Sequence, residues 1–110
     1  MHEAGVVAEA LSEALATGPP ARALPARPRA LEVVVTDPAH LAAEAIRLHL
    51  ELALHDRGLS EVPIEIEVKP IECTSCGMRN RPDPASAFCH VCGWPLPRQP
   101  GRGVDIRARW

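Results

Sequence analysis

The sequence predicts an α+β fold: two helices on a small three-stranded sheet, with a four-cysteine knob inserted before the last strand. Three observations predict it. Apolar residues recur at helical spacing in two segments. Three other segments are β-branched or alternate apolar with polar residues. All four cysteines fall in one proline-rich stretch between two of those strands. The chain has 110 residues, enough for one domain or one domain with a small appendage. Its aromatics are Phe88, Trp94 and Trp110 alone, so the core must be aliphatic and thin.

The first helix is expected over residues 4–16. Val6, Val7, Ala10, Leu11, Ala14 and Leu15 fall on one side, and Glu9, Ser12 and Glu13 on the other. Gly18-Pro19-Pro20 should end it, because proline cannot continue a helix and glycine accepts the left-handed stop. Residues 17–29, rich in proline and arginine, read as a surface connector. The run ALEVVVT at 30–36 is a strand. Asp37-Pro38 then opens a second helix running to about Arg57, with Asp37 as cap and Pro38 at the first helical position. Leu41, Ala45, Leu48 and Leu52 form its expected core stripe, widened by Ile46, Leu50 and Leu54, and Gly58 is the expected stop. In residues 62–69, Ile64, Ile66 and Val68 alternate with Glu65, Glu67 and Lys69, the pattern of a strand with one wet face. Val104, Ile106 and Ala108 repeat it against Asp105, Arg107 and Arg109. If these two strands pair, acidic and basic wet faces meet. The expected division is therefore 1–70 plus 102–110 as an α/β domain, with 71–101 as the cysteine domain.

The cysteines are spaced Cys73-x2-Cys76, twelve residues, then Cys89-x2-Cys92, and glycine follows each pair. Two residues between cysteines make a tight turn that aims both sulfurs at one point, and the glycines (Gly77, Gly93) accept the backbone angles such a knuckle needs. Two knuckles close a tetrahedron of thiolates, the ligand set of structural zinc; no fourth position is left open for catalysis. Two disulfides, iron or an exchangeable metal site are the other outcomes this spacing allows. The predicted knob is thus zinc-ribbon-like. His90, inside the second knuckle, reads as an exposed turn residue or as a group close to the metal, and Trp94 with Phe88 is expected to pack over the cluster.

Composition narrows the partners. Net charge is −2 with a pI near 6.2, so no global basic footprint for nucleic acid exists. Arg79, Arg81, Arg98, Arg102, Arg107 and Arg109 are the best argument for a nucleic-acid binder. No apolar run is long enough to cross a membrane. The start MHEAGVVAEALSEALA carries Glu3, Glu9 and Glu13 and lacks the positive charge of a signal peptide, so a cytoplasmic, thiol-reducing location is expected. There is no glycine-rich phosphate loop, and every cysteine is committed to the knob, so no catalytic nucleophile is available and the chain is not read as an enzyme.

At the N-terminus, Met1-His2-Glu3 offers an amine, a backbone amide nitrogen and an imidazole within one short segment. Planar nitrogen donors suit Ni(II) or Cu(II) better than zinc. Three residues leave this open, because a histidine at position two is equally consistent with an incidental residue. His40, near the start of the second helix, is a candidate further ligand or a simple capping residue; His49 and His55 do not share a helical face.

Two anchors, the MHE start leading directly into an amphipathic helix and the C-x2-C-x12-C-x2-C loop, together resemble the HypA/HybF family of hydrogenase maturation nickel metallochaperones. The segment VPIEIEVKPIEC also resembles the strand that leads into that loop in the family, and the order of elements agrees along most of the chain. The resemblance implies an N-terminal Ni2+ site at Met1, His2 and Glu3, in the 1–70 plus 102–110 domain. It also implies structural Zn2+ at Cys73, Cys76, Cys89 and Cys92, and delivery of nickel to the hydrogenase large subunit with the nickel-handling GTPase HypB. Some members also serve urease. Thr36-Asp37-Pro38 stands where the family shows a Gly-Glu-Leu-like turn.

Overall fold

The computed structural model describes residues 3–17 and 27–110. Most of the proline-rich connector, including the expected Gly18-Pro19-Pro20 stop, lies outside them. Helix α1 spans Glu3–Ala16 and buries Val6, Val7, Ala10, Leu11 and Ala14, the face its periodicity predicts. Thr17 receives its last turn: the Thr17 N–H and hydroxyl both donate to the Ala14 carbonyl, at 3.3 and 2.7 Å.

Strand β1 spans Ala30–Val35, and Leu31, Val33 and Val35 are buried. Helix α2 spans Ala43–Asp56, β2 spans Ile64–Val68, and the short strands β3 (Ile71–Glu72) and β4 (Arg79–Asn80) belong to the knob; β5 spans Val104–Arg109. The main sheet has the order β2-β1-β5, with β2 parallel and β5 antiparallel to β1. The α+β architecture is thus two helices and a small mixed sheet of three strands, plus a four-cysteine knob.

Three details differ from expectation. The alternating strands β2 and β5 do not pair, because β1 lies between them. Their charges still meet, through β1: the Arg109 guanidinium donates to Glu32 of β1 at 2.8 Å and reaches Glu65 of β2 at 3.5 Å.

Helix α2 begins at Ala43, not at Asp37-Pro38, and its N-cap, Ala42, makes no side-chain cap. The Asp-Pro signal serves a separate turn. The His40 and Leu41 N–H groups both donate to the Asp37 carbonyl at 3.0 Å. The Gly103 carbonyl accepts from Thr36 and Asp37 at 2.8 and 3.1 Å, which holds the chain in that turn before the helix starts. Gly103 has φ +87°, and a Cβ there would meet the Leu41 side chain at 2.7 Å and Asp37 at 3.0 Å. Only glycine allows this approach.

The buried stripe of α2 is Ile46, Leu50 and Leu54, while Leu48 and Leu52 are 55% and 54% exposed. The leucine-rich helix carries two apolar seams, and the sheet takes the one spaced i, i+4, i+8. The stop at Gly58 is as expected: the Gly58 N–H donates to His55 O at 3.0 Å and the Leu59 N–H to Leu54 O at 2.8 Å, the paired bonds of a Schellman end.

Both helices cover one face of the sheet in a single apolar cluster. Arg102, in the turn before β5, reaches Glu9 (3.2 Å) and Glu13 (2.7 Å) of α1, and Arg57, capping the end of α2, reaches Ser12 of α1 (3.0 Å). A second, smaller cluster joins Ile71, Cys73, Cys89 and Leu96 of the knob to Ala39 of the turn after β1. That turn therefore touches both the sheet and the knob.

Candidate metal centre

The knob is two copies of one local device. In the first, the Cys73 N–H donates to Met78 O and the Gly77 N–H to Cys73 O, both at 2.9 Å. In the second, the Cys89 N–H donates to Trp94 O at 2.8 Å and the Gly93 N–H to Cys89 O at 2.9 Å. The glycine after each cysteine pair sits at φ 77° and 74°, the left-handed region the knuckle requires. Pairing of β3 with β4, and of Phe88 with Pro95, closes a small hairpin around each knuckle.

The knuckles face each other. The sulfurs of Cys73, Cys76, Cys89 and Cys92 all lie within 4.8 Å of one another. Cys73 and Cys92 are 3.6 Å apart, and so are Cys76 and Cys89. A zinc ion with sulfurs at about 2.3 Å in a tetrahedron puts them about 3.8 Å apart. The donor set thus fits a tetrathiolate ion such as zinc, and no disulfide forms. Cys73 and Cys89 are buried, whereas Cys76 and Cys92 are exposed.

The protonation pattern is that of four acids crowded around one point. The backbone N–H of Cys92, aided by that of Val91 and by the Asn80 side chain, holds the Cys89 thiol down at about 6 against desolvation. The Cys76 N–H likewise lowers Cys73. At Cys76 the Met78 N–H pulls downward, but desolvation and the thiols of Cys89, Cys92 and Cys73 outweigh it and push the group up to about 12. A divalent cation among the sulfurs would offset the crowding that raises Cys76, so metal binding there is coupled to loss of its proton.

Asn80, which sequence reasoning missed, fastens the two knuckles together. It is buried at the end of β4. Its Nδ2 donates to Met78 O at 2.9 Å and lies 3.6 Å from the Cys89 sulfur. Its Oδ1 accepts from the His90 N–H at 2.9 Å and faces the His90 Nδ1 at 2.6 Å. Because that oxygen only accepts, His90 carries its proton on Nδ1. His90 is thus exposed yet tied to the metal-facing amide. The only sequence signal for Asn80 was a neutral amide between Arg79 and Arg81, which is no signature.

Trp94 and Phe88 do not cover the cluster. Both are exposed, with Met78 and Val91 exposed nearby in sequence. Of the arginines, Arg102 and Arg109 are engaged by carboxylates, which weakens the case for a nucleic-acid surface. His55 is held by Ser60 at 3.1 Å, and His49 on α2 is half-buried.

Met1 and His2 lie outside the described residues, as does the Glu3 side chain, although Glu3 opens α1. His40 is found not on α2 but in the turn before it, with Nδ1 3.0 Å from Asp37 Oδ1. No described helix is long and apolar enough to cross a membrane. No family model matches the chain, and no curated protein is significantly similar to it.

Proposed function

We propose that the chain is a nickel metallochaperone of the HypA/HybF kind, a cytoplasmic carrier that delivers Ni(II) for [NiFe]-hydrogenase maturation. In this reading Cys73, Cys76, Cys89 and Cys92 hold zinc structurally, while Met1, His2 and Glu3 hold nickel at the N-terminus. The observation that carries it is the closure of the four-cysteine centre: its thiolates satisfy one ion and leave no position for cargo. Cargo handling then belongs elsewhere on the chain, and the amine-imidazole-amide donors of Met1-His2-Glu3 at the head of α1 are the chelating set the sequence offers. The order of elements, with the knob inserted before the last strand, supports the same reading.

The chemistry asked of the N-terminus is exchange, not catalysis. Ligands at a chain end open with little loss of other contacts, so an ion held there is released to a partner without unfolding the domain. The recipients in this reading are the hydrogenase large subunit and the GTPase HypB, which would supply any GTP hydrolysis. Calorimetric titration of the zinc-loaded protein with Ni(II) tests the reading. Wild type should bind about one equivalent and His2→Ala should lose that binding; equal binding by both would refute the N-terminal site.

A second reading has one observation in its favour. Met78, Phe88, Val91 and Trp94 are all exposed on the knob, which suits a protein–protein adaptor whose only metal is zinc. It predicts no Ni(II) binding by the zinc-loaded chain.

A further inference from the structure

The sheet order β2-β1-β5 leaves two strand edges, the outer sides of β2 and β5. The ladders decide which main-chain groups face outward there. The Leu31 N–H donates to Pro63 O and the Lys69 N–H to Val35 O. Strand β2 therefore turns the groups of Glu65 and Glu67 toward β1, and those of Ile64, Ile66 and Val68 outward. The Thr36 N–H donates to Gly103 O. Strand β5 therefore turns the groups of Asp105 and Arg107 toward β1, and those of Val104, Ile106 and Ala108 outward. Among the described residues no strand takes up either outward row. Such a row of donors and acceptors is a template for another strand.

A second copy of the same chain, related by a two-fold axis, is the simplest strand to fill an edge, because one surface then meets itself. The two edges differ in whether they allow it. Antiparallel pairing of β2 with its own copy about Ile66 sets Glu65 opposite Glu67 of the second copy, twice, and like charges directly opposite repel. Antiparallel pairing of β5 with its own copy about Ile106 sets Asp105 opposite Arg107 of the second copy, again twice, and these attract. Both side chains are exposed, and among the described residues neither makes an ion pair.

The backbone fits the same register. With Ile106 opposite itself and Val104 opposite Ala108, the outward groups of both strands meet in about six hydrogen bonds. Moving the axis by one residue centres it on Asp105 or on Arg107 and sets two like charges face to face. Strand β5 has neither a proline nor a break in its ladder to guard its edge. Ile106 is only partly buried against the apolar cluster of the sheet, and on the axis it would pack against its own equivalent.

We propose that the chain self-associates as a two-fold dimer through antiparallel pairing of β5 with β5 of a second copy. The pairing joins two three-stranded sheets into one continuous sheet. Because the axis is perpendicular to the sheet, the helices of both copies lie on the same face. Nothing in this inference depends on the metal carried.

Analytical ultracentrifugation of the zinc-loaded full chain, from micromolar to millimolar concentration, tests it. Wild type should pass from monomer to dimer. Asp105→Arg and Arg107→Asp should each weaken the dimer by at least about 10-fold, because two attractive pairs become two repulsive ones. An equimolar mixture of the two variants should dimerise again, since at these positions one is wholly basic and the other wholly acidic. That recovery also separates lost charge pairing from lost folding. Amide hydrogen exchange reads the edge directly: the Val104, Ile106 and Ala108 N–H groups should slow as wild type dimerises, while those of Ile64, Ile66 and Val68 should not. A wild type that stays monomeric, or a dimer whose β5 amides remain fast, overturns the inference. So does a dimer that either variant leaves as tight as before, or a mixture that stays monomeric.

Discussion

Replacing Leu50 by alanine should destabilise the zinc-loaded protein far more than replacing Leu48, although the two leucines are only two positions apart on α2. Leu50 is fully buried beneath the sheet-facing side of the helix, whereas Leu48 is 55% exposed. Truncating Leu50 removes the transfer free energy of three carbons, about 2.4 kcal/mol at ~0.8 kcal/mol each. The cavity left behind brings the cost to about 3–4 kcal/mol, within the usual range for a buried leucine. Leu48→Ala leaves no internal cavity and should cost about 0.5 kcal/mol or less. For a domain of this size 1 kcal/mol shifts the thermal midpoint by about 4 °C, so the two variants should melt roughly 10 °C apart or more. Thermal unfolding followed by circular dichroism, with zinc in slight excess, measures the difference. Residues two apart on a helix point about 160° away from each other. If the two variants lose stability equally, or Leu48→Ala loses more, α2 is not oriented on the sheet as described.

Other outcomes follow from the metal centre. Asn80→Ala should weaken zinc binding by about 10- to 100-fold in competition with a chromophoric chelator, because the amide both contacts Cys89 and joins the two knuckles. An unchanged affinity would make the amide a bystander. In the metal-free protein, thiolate absorbance should rise in separated steps, an early one near pH 6 from Cys89 and a late one near 12 from Cys76. The Cys89 value is depressed on folding, so its contribution to stability is present above about pH 9 and is lost as pH falls through 6. Cys76 has the opposite sign: its contribution is present below about 9 and is lost as pH rises through 12. A single unresolved step near 9 would contradict the described cluster.

Much of this molecule was legible because local chemistry and tertiary structure agree. The face of α1, the Gly58 stop and the two knuckles each follow from spacing and backbone freedom, which the rest of the fold does not override. The differences arise where one local signal suits two uses. Asp37-Pro38 is a good helix start, yet the Gly103 carbonyl claims the adjacent N–H groups and makes it a separate turn. Helix α2 has two leucine seams, and only the position of the sheet chooses between them. The partner of an edge strand is a property of the sheet order, so the charges of β2 and β5 meet through β1 and not by direct pairing. Asn80 was invisible because its importance lies in three contacts made across the knob to Cys89 and His90, not in any spacing along the chain.

The proposed function puts two metals at separate places on one chain, zinc in the knob and nickel at the N-terminus. Native mass spectrometry of the intact protein with added Ni(II) tests it most directly. One zinc should be retained throughout and one nickel added beside it, with the nickel adduct absent in His2→Ala. Nickel that appears only as zinc departs would show that the four cysteines are its site and would refute the separate N-terminal site.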